Sequence, residues 1–267
     1  MTRQAIDEEK YYKRIKNLNI AHYAGETSYY AAAPLRKVER KILDDLPRGA
    51  KILDLGCGSG RFSVNAALHG FNVTGIDITP QAVQEAKKKA FNEGARDAKF
   101  IEGDMTAIPF PDEFFDYVFC PRFSINAVAT FAKRKKAIAE MLRVIKPNGI
   151  VFVESFNKLY VGRGLLVPLK NILRDIWRRL MMVGCKLFGK EYSNLLPGDI
   201  VYKNNKVLGA PDGYAHLPTI FELKSMIPDD NKVAANFFSI PQVVGNIKGC
   251  DPFKFFRYSI WVVLAKK

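Results

Sequence analysis

Three aspartates and a run of alternating glycines carry the chemistry available to this sequence. Gly56, Gly58 and Gly60 follow the apolar run Ile52, Leu53 and Leu55, and a helix-like stretch from Arg61 to Leu68 comes next. A strand, a glycine turn and a helix make a nucleotide-binding corner. Glycine lets the backbone approach a ligand where a Cβ would collide, and a helix start offers unpaired N–H groups. Asp54, inside the strand end, would repel a pyrophosphate and suits a ligand carrying an ammonium or hydroxyls. Asp77 closes the next strand, where a carboxylate can accept two hydrogen bonds from a ribose diol; its other use is to cap the helix at Thr79–Pro80. Asp104 follows a third strand. A dinucleotide fingerprint needs its third glycine at position 61. That position is Arg61, so a nicotinamide-dependent oxidoreductase is the weaker reading.

The elements that must hold these residues alternate in period. Ile52–Leu55 reads as strand one, Arg61–Leu68 as a helix closed by Gly70, and Phe71–Ile76 as strand two. A helix from Pro80 to about Asn92, with Thr79 as N-cap, leads to strand three at Lys99–Glu102. Phe115–Cys120 is strand four, Ala132–Ile145 a helix, and Pro147-Asn148-Gly149 a turn into strand five, Ile150–Glu154. Strands alternating with helices predict a parallel sheet covered on both faces. Before this core, Asp7–Ile20 is a helix with a weak apolar stripe that includes Tyr11 and Tyr12. An aromatic connector runs from His22 to Tyr30, and Pro34 opens a helix through Leu46. After strand five the rhythm breaks over about 157–212. A short helix from Leu217 to Met226, a sixth strand at Val233–Phe238 and a seventh at Phe255–Ala265 finish the chain.

Five ordered signatures carry a family resemblance: Asp54 to Gly60, Gly75 to Pro80, Glu102 to Met105, Phe115 to Val118, and Leu142 to Gly149. The chain resembles the class I S-adenosylmethionine-dependent methyltransferases, most closely over residues 33–156 and loosely over 217–267. The resemblance implies an α/β fold: a Rossmann-like, doubly wound, seven-stranded, mostly parallel sheet with an antiparallel last strand and a helical lid insertion. It implies one domain, with 1–47 as an N-terminal cover, 48–156 as the cofactor core, 157–212 as the lid and 213–267 completing the sheet. The cofactor is S-adenosylmethionine. Asp54 would meet its ammonium, with Gly56, Cys57, Gly58 and Gly60 forming the turn. Asp77 would hold the ribose, Asp104 the adenine amino group and Met105 the ring edge, with Ile78 and Met105 as apolar faces. Arg122 and Phe123, after strand four, would lie beside the sulfonium.

Methyl transfer asks the protein to hold acceptor and methyl in line and to exclude water. A base is needed only where the acceptor has a proton to lose. His22, Tyr23, Tyr29, Tyr30 and His216 are the candidate bases or positioners, each with core or surface packing as its plainer use. Cys120 ends an apolar strand with no flanking base, so it reads as a buried thiol rather than a nucleophile. The four cysteines, Cys57, Cys120, Cys185 and Cys250, are far apart and no metal is expected.

The net charge of +14 favours acidic partners: nucleic acid, an anionic membrane or a negatively charged substrate. Much of it sits in 157–192, where eight Lys or Arg face only Asp175 and Glu191. Leu165, Leu169, Ile172, Ile176, Leu180 and Leu187 follow helical spacing, with Trp177 widening the apolar face and Lys170, Arg174 and Arg178 opposite. Three readings stay open for this basic amphipathic stretch: a lid over a small-molecule pocket, attachment of 164–190 to an anionic membrane beside a lipid or isoprenoid acceptor, and a nucleic-acid surface such as a tRNA-modifying enzyme would need. A cofactor-binding scaffold without turnover is the non-enzymatic alternative. The charged N-terminus lacks a signal-peptide core and no apolar run reaches the ~20 residues of a membrane span, which points to a cytoplasmic chain.

Overall fold

In the computed structural model, residues 7–25, 27, 33–158, 173, 195, 198–202, 212–229, 232–238 and 259–267 are described. The sheet grows outward from β1 (Lys51–Leu55). On one side lie β2 (Asn72–Asp77) and β3 (Ala98–Glu102), and on the other β4 (Phe115–Cys120) and β5 (Ile145–Phe156), all parallel. β9 (Ser259–Lys266) then pairs antiparallel with β5 and with the edge strand β8 (Val233–Phe238). The order is β3-β2-β1-β4-β5-β9-β8, so seven strands form the sheet and β9 alone runs against its neighbours. The order reverses at β1, which opens a crevice at the carboxyl ends of β1 and β4.

Period-two alternation explains the two cores. Leu53, Leu55, Val118, Cys120, Val151 and Val153 face one way, under α1 (Glu8–Ala24), α5 (Phe131–Val144) and α6 (Ile220–Met226). Ile52, Phe119 and Phe152 face the other way, under α2 (Lys37–Asp44), α3 (Arg61–Leu68) and α4 (Pro80–Glu93). Phe119 stacks on Phe152 with ring centroids 4.7 Å apart. Each such fully buried side chain contributes roughly 1.5–3 kcal/mol.

Several boundaries differ from the sequence reading, each for a local reason. α1 continues to Ala24, so His22 and Tyr23 are helical and not part of a connector. α2 begins at Lys37 rather than Pro34, because Arg36 is held extended (φ −74°, ψ 151°), its N–H on the Glu39 carboxylate at 2.8 Å. β5 begins at Ile145, ahead of the Pro147-Asn148-Gly149 turn, and the β4–β5 register shifts between Phe115 and Tyr117 to absorb those residues. A second, two-stranded sheet was not foreseen: β6 (Asp199–Tyr202) pairs antiparallel with β7 (Gly213–His216). Tyr29, Tyr30, Trp177, Arg174 and nearly all of the 164–190 stretch lie outside the described residues, as do the first residues expected in the seventh strand.

Candidate functional site

One cavity of about 600 Å³ runs along the carboxyl ends of β1 to β4. Its floor is the glycine turn. The N–H groups of Gly56 and Cys57 both reach the Ile76 carbonyl, at 2.8 and 3.1 Å, which pins the turn to β2. Gly56 has φ +71°, and a Cβ there would overlap the Ser124 side chain. Gly58 N–H donates to Asp77 Oδ2, and Thr79 N–H donates to Asp77 Oδ1, each at 2.8 Å. Asp77 therefore does both things the sequence left open: it caps the start of α4 and it lines the cavity. Burial raises its carboxyl despite these backbone bonds.

Asp54 is fully buried on the inner wall. Its Oδ2 accepts from Ser63 Oγ at 2.5 Å, whereas Oδ1 has no partner among the described residues. Burial pushes its carboxyl up to about 7, against the opposing pull of Ser63 and Arg61. An unsatisfied buried carboxylate oxygen is costly, and a cationic ligand in the cavity relieves that cost.

Asp104 stands at the far end. Thr106 N–H and Oγ1 reach its Oδ1 at 2.9 and 2.8 Å. Two donors from α1 also arrive: Tyr12 OH, 2.8 and 2.7 Å from the two oxygens, and Lys16 Nζ, 2.8 Å from Oδ2. Burial alone would raise this carboxyl, but Lys16, Tyr12 and Thr106 hold it down at about 2. Met105 and Ile78 line the same end.

Beyond β4 the cavity turns apolar. Arg122 and Phe123 sit in succession in the left-handed region, φ 54° and 64°, with Arg122 N–H on Glu154 Oε2 at 2.8 Å. Phe123 lies flat on Phe156, centroids 3.9 Å apart and planes 9° from parallel. Ala127, Val128, Ile200 and Ala215 also line the cavity, and His22 and Tyr23 enter from α1 with their rings edge to face.

Of the residues singled out from sequence, Asp54, Gly56, Cys57, Gly58, Asp77, Ile78, Asp104, Met105, Arg122, Phe123 and His22 line this one cavity. Gly60 and His216 are not among its lining residues. Gly60 packs instead: a Cβ there would meet Ala86 at 3.0 Å. His216 has a carboxylate on each ring nitrogen, the wrong setting for a general base. Cys120 is fully buried, and burial pushes its thiol well up. Sequence reasoning missed Tyr12, Lys16, Arg61 and Phe156. The spacing of Tyr12 and Lys16, one helical turn apart, was the available signal.

A doubly wound sheet whose crevice offers a buried carboxylate with one oxygen unpartnered among the described residues, two further acids on successive strands and an apolar extension suits a class: proteins that hold a cationic nucleoside next to a second, apolar compartment. Residues 46–188, more than half of the chain, match the family model described as a methyltransferase domain. The chain is 41% identical over 140 residues to the 2-methyl-6-phytyl-1,4-hydroquinone methyltransferase of Synechocystis, covering 52% of this chain and 41% of that protein's length. It is 37% identical over 179 residues to the demethylmenaquinone methyltransferase of Renibacterium salmoninarum, covering 66% and 68%. In fold it is like an S-adenosylmethionine-dependent methyltransferase from Methanosarcina mazei, with TM-score 0.61 at 23% identity over 88% of this chain and 99% of that one. The chain belongs to the class I S-adenosylmethionine-dependent methyltransferase family. The family's cofactor fits the residues present, since the orphaned Asp54 Oδ1 is a ready acceptor for its ammonium. Among the described residues, no helix is long and apolar enough to cross a membrane.

Proposed function

We propose that this chain transfers a methyl group from S-adenosylmethionine to a small apolar acceptor with a planar ring. The observation that carries the reading is the continuity of the cavity, from the three aspartates to the Phe123–Phe156 stack. When bound, the cofactor supplies a methyl group on a positively charged sulfur, already activated for in-line displacement. The chain's own work is to hold and to exclude. Asp54 accepts the ammonium, Asp77 the ribose hydroxyls and Asp104 the adenine amino group. The exposed face of the Phe123–Phe156 pair offers a flat acceptor a stacking surface, worth about 0.5–1.5 kcal/mol beyond its burial. Val128, Ile200 and Ala215 keep water from that compartment. For a hydroxyl acceptor, His22, which lines the cavity, is the candidate to receive the proton.

The relatives' names point to substituted hydroquinones carrying an isoprenoid tail, which suit an apolar, aromatic-walled compartment. The test is to incubate the protein with labelled S-adenosylmethionine and a panel of demethylmenaquinol, 2-methyl-6-phytylhydroquinol and a water-soluble catechol, with products read by mass spectrometry. Methylation of a tailed quinol supports the proposal. Tight cofactor binding by calorimetry, with no product from the panel or from a total lipid extract, overturns it in favour of a cofactor-binding scaffold.

A further inference from the structure

His216 ends β7 and is 3% exposed. Its Nδ1 lies 2.7 Å from Asp199 Oδ1 and its Nε2 lies 2.8 Å from Glu222 Oε1. Ionised carboxylates only accept. Two carboxylates on two ring nitrogens therefore require two N–H groups, one more proton than a neutral imidazole carries. The neighbours fix where that proton sits. Asp199 also accepts from Tyr11 OH at 2.9 Å and from Tyr214 OH at 2.7 Å. Glu222 also accepts from Arg134 Nη2 at 2.9 Å. Each carboxylate is thus already surrounded by donors, which stabilises its ionised form. Burial would raise the Glu222 carboxyl, but His216 and Arg134 together bring it below its ordinary value. The geometry therefore asks for an N–H on each ring nitrogen. Among the contacts described, His216 and Arg134 are the side chains that bring positive charge to Asp199 and Glu222 at this buried junction.

That junction is built of β6, β7, α1, α5 and α6. The groups facing His216 are Asp199 on β6, Tyr214 on β7, Glu222 on α6 and Arg134 on α5, with Tyr11 on α1 sharing Asp199 and Arg14 in electrostatic reach of Tyr11. Three of these elements, α1, β6 and β7, also contribute residues to the wall of the cavity. Asp199 pairs with His216 across the small sheet, and Ile200 pairs with Ala215. Alternation sends the first pair into the junction and the second toward the cavity. Arg134 Nη1 holds the Val128 carbonyl at 3.0 Å, and Asn126 Nδ2 holds the His216 carbonyl at 2.7 Å.

We propose that His216 is a positioning residue: a doubly protonated clasp that holds α1 and the β6–β7 wall against the acceptor compartment. Removing one ring proton would leave a carboxylate oxygen facing a lone pair at a buried junction. The wall would then loosen while the glycine turn, tied to β2, stayed in place. The structural claim does not depend on the acceptor's identity; the claim about acceptor binding rests on the function proposed above.

The deciding measurement is nitrogen-15 NMR of the three histidines at pH 7.5, with His216→Gln as the assignment control. The expected result is one histidine with both ring nitrogens protonated and slow to exchange, lost in the variant. A neutral His216 at that pH overturns the proposal. Hydrogen–deuterium exchange should show α1 and β6–β7 at least tenfold faster in His216→Gln, with residues 56–60 unchanged and S-adenosylmethionine affinity within twofold by calorimetry. Unchanged exchange, or an equal loss at the glycine turn, also overturns it. If His216→Gln does not fold, Glu222→Gln serves. It keeps the Asp199 contact and an amide oxygen for Nε2–H, and should accelerate exchange in α6 and β7 only; no acceleration there counts against the clasp. Where a tailed quinol is turned over, His216→Gln should raise its KM at least tenfold and leave the cofactor's KM alone. Where none is, the NMR and exchange results still decide the clasp, and only the proposed function falls.

Discussion

Arg61, the first residue after the glycine turn, is gripped by Glu39 through two hydrogen bonds of 2.7 Å, with both side chains buried. Glu39 in turn binds Arg36, whose guanidinium forks onto Glu154 at 2.8 and 2.6 Å. A chain of four charges thus runs from α3 through α2 to β5. Burial would raise the Glu39 carboxyl, but Arg61 and Arg36 bring it below its ordinary value. Removing one member strands its partner. Glu39→Gln is expected to cost about 3–5 kcal/mol, which lowers Tm by about 10 °C at this size. A double Glu39→Gln, Arg61→Met variant should recover part of that loss. Calorimetric unfolding that shows the single and double variants equal would refute the coupling.

Asp54 makes cofactor affinity depend on pH. Its raised carboxyl, at about 7, means that the folded chain keeps a proton which the unfolded chain releases near 4. This group's contribution to stability therefore falls as pH rises from about 4 to 7. An ammonium favours the ionised form, so binding should release a proton, and affinity should climb up to about tenfold between pH 6 and 7.5. Titration calorimetry in two buffers of different ionisation enthalpy measures that proton. Asp54→Asn should weaken binding and flatten the profile. A steep profile surviving in the variant would assign the titration elsewhere.

Asp77 holds the turn and the helix start together, so its loss has two readouts. Asp77→Ala removes the acceptor for Gly58 N–H and for Thr79 N–H. With charge-assisted bonds worth about 1.5–3 kcal/mol each, affinity for S-adenosylmethionine should fall at least about tenfold and Tm should also drop. Unchanged calorimetric affinity would remove Asp77 from the site.

Lys16 holds Asp104 Oδ2 at 2.8 Å, and under the proposed function it competes with the adenine amino group for that carboxylate. Lys16→Met is expected to tighten S-adenosylmethionine binding severalfold while slightly lowering Tm, as a partly exposed ion pair is worth roughly 0.2–1 kcal/mol. Equal or weaker binding would mean that lysine and cofactor share Asp104 rather than compete for it.

The sheet was legible because its strands are short apolar runs and its ligand points sit at their ends. Asp54, Asp77 and Asp104 could be located at strand ends from the sequence, and the roles of Asp54 and Asp104 came from the family resemblance. What could not be read was long-range and polar. Nothing near Glu39 announces that it meets Arg61 across 22 residues, or that Tyr12 meets Asp104 across 92. His22 was misplaced because a polar first helix has no apolar signal for its end. β6 and β7 were missed because each is only four residues long and they sit at the end of the stretch where the strand–helix rhythm breaks.

The two left-handed residues after β4 bear on how this chain could be re-engineered. Arg122 and Phe123 each hold a conformation that costs a side-chain-bearing residue about 1–2 kcal/mol. Replacing Phe123 changes a strained backbone and a ring together, and glycine would relax the loop as well as empty it. Phe156 presents the other ring of the stack from the last residue of a regular strand. A library meant to alter which acceptors fit should therefore diversify position 156 and leave 123 alone.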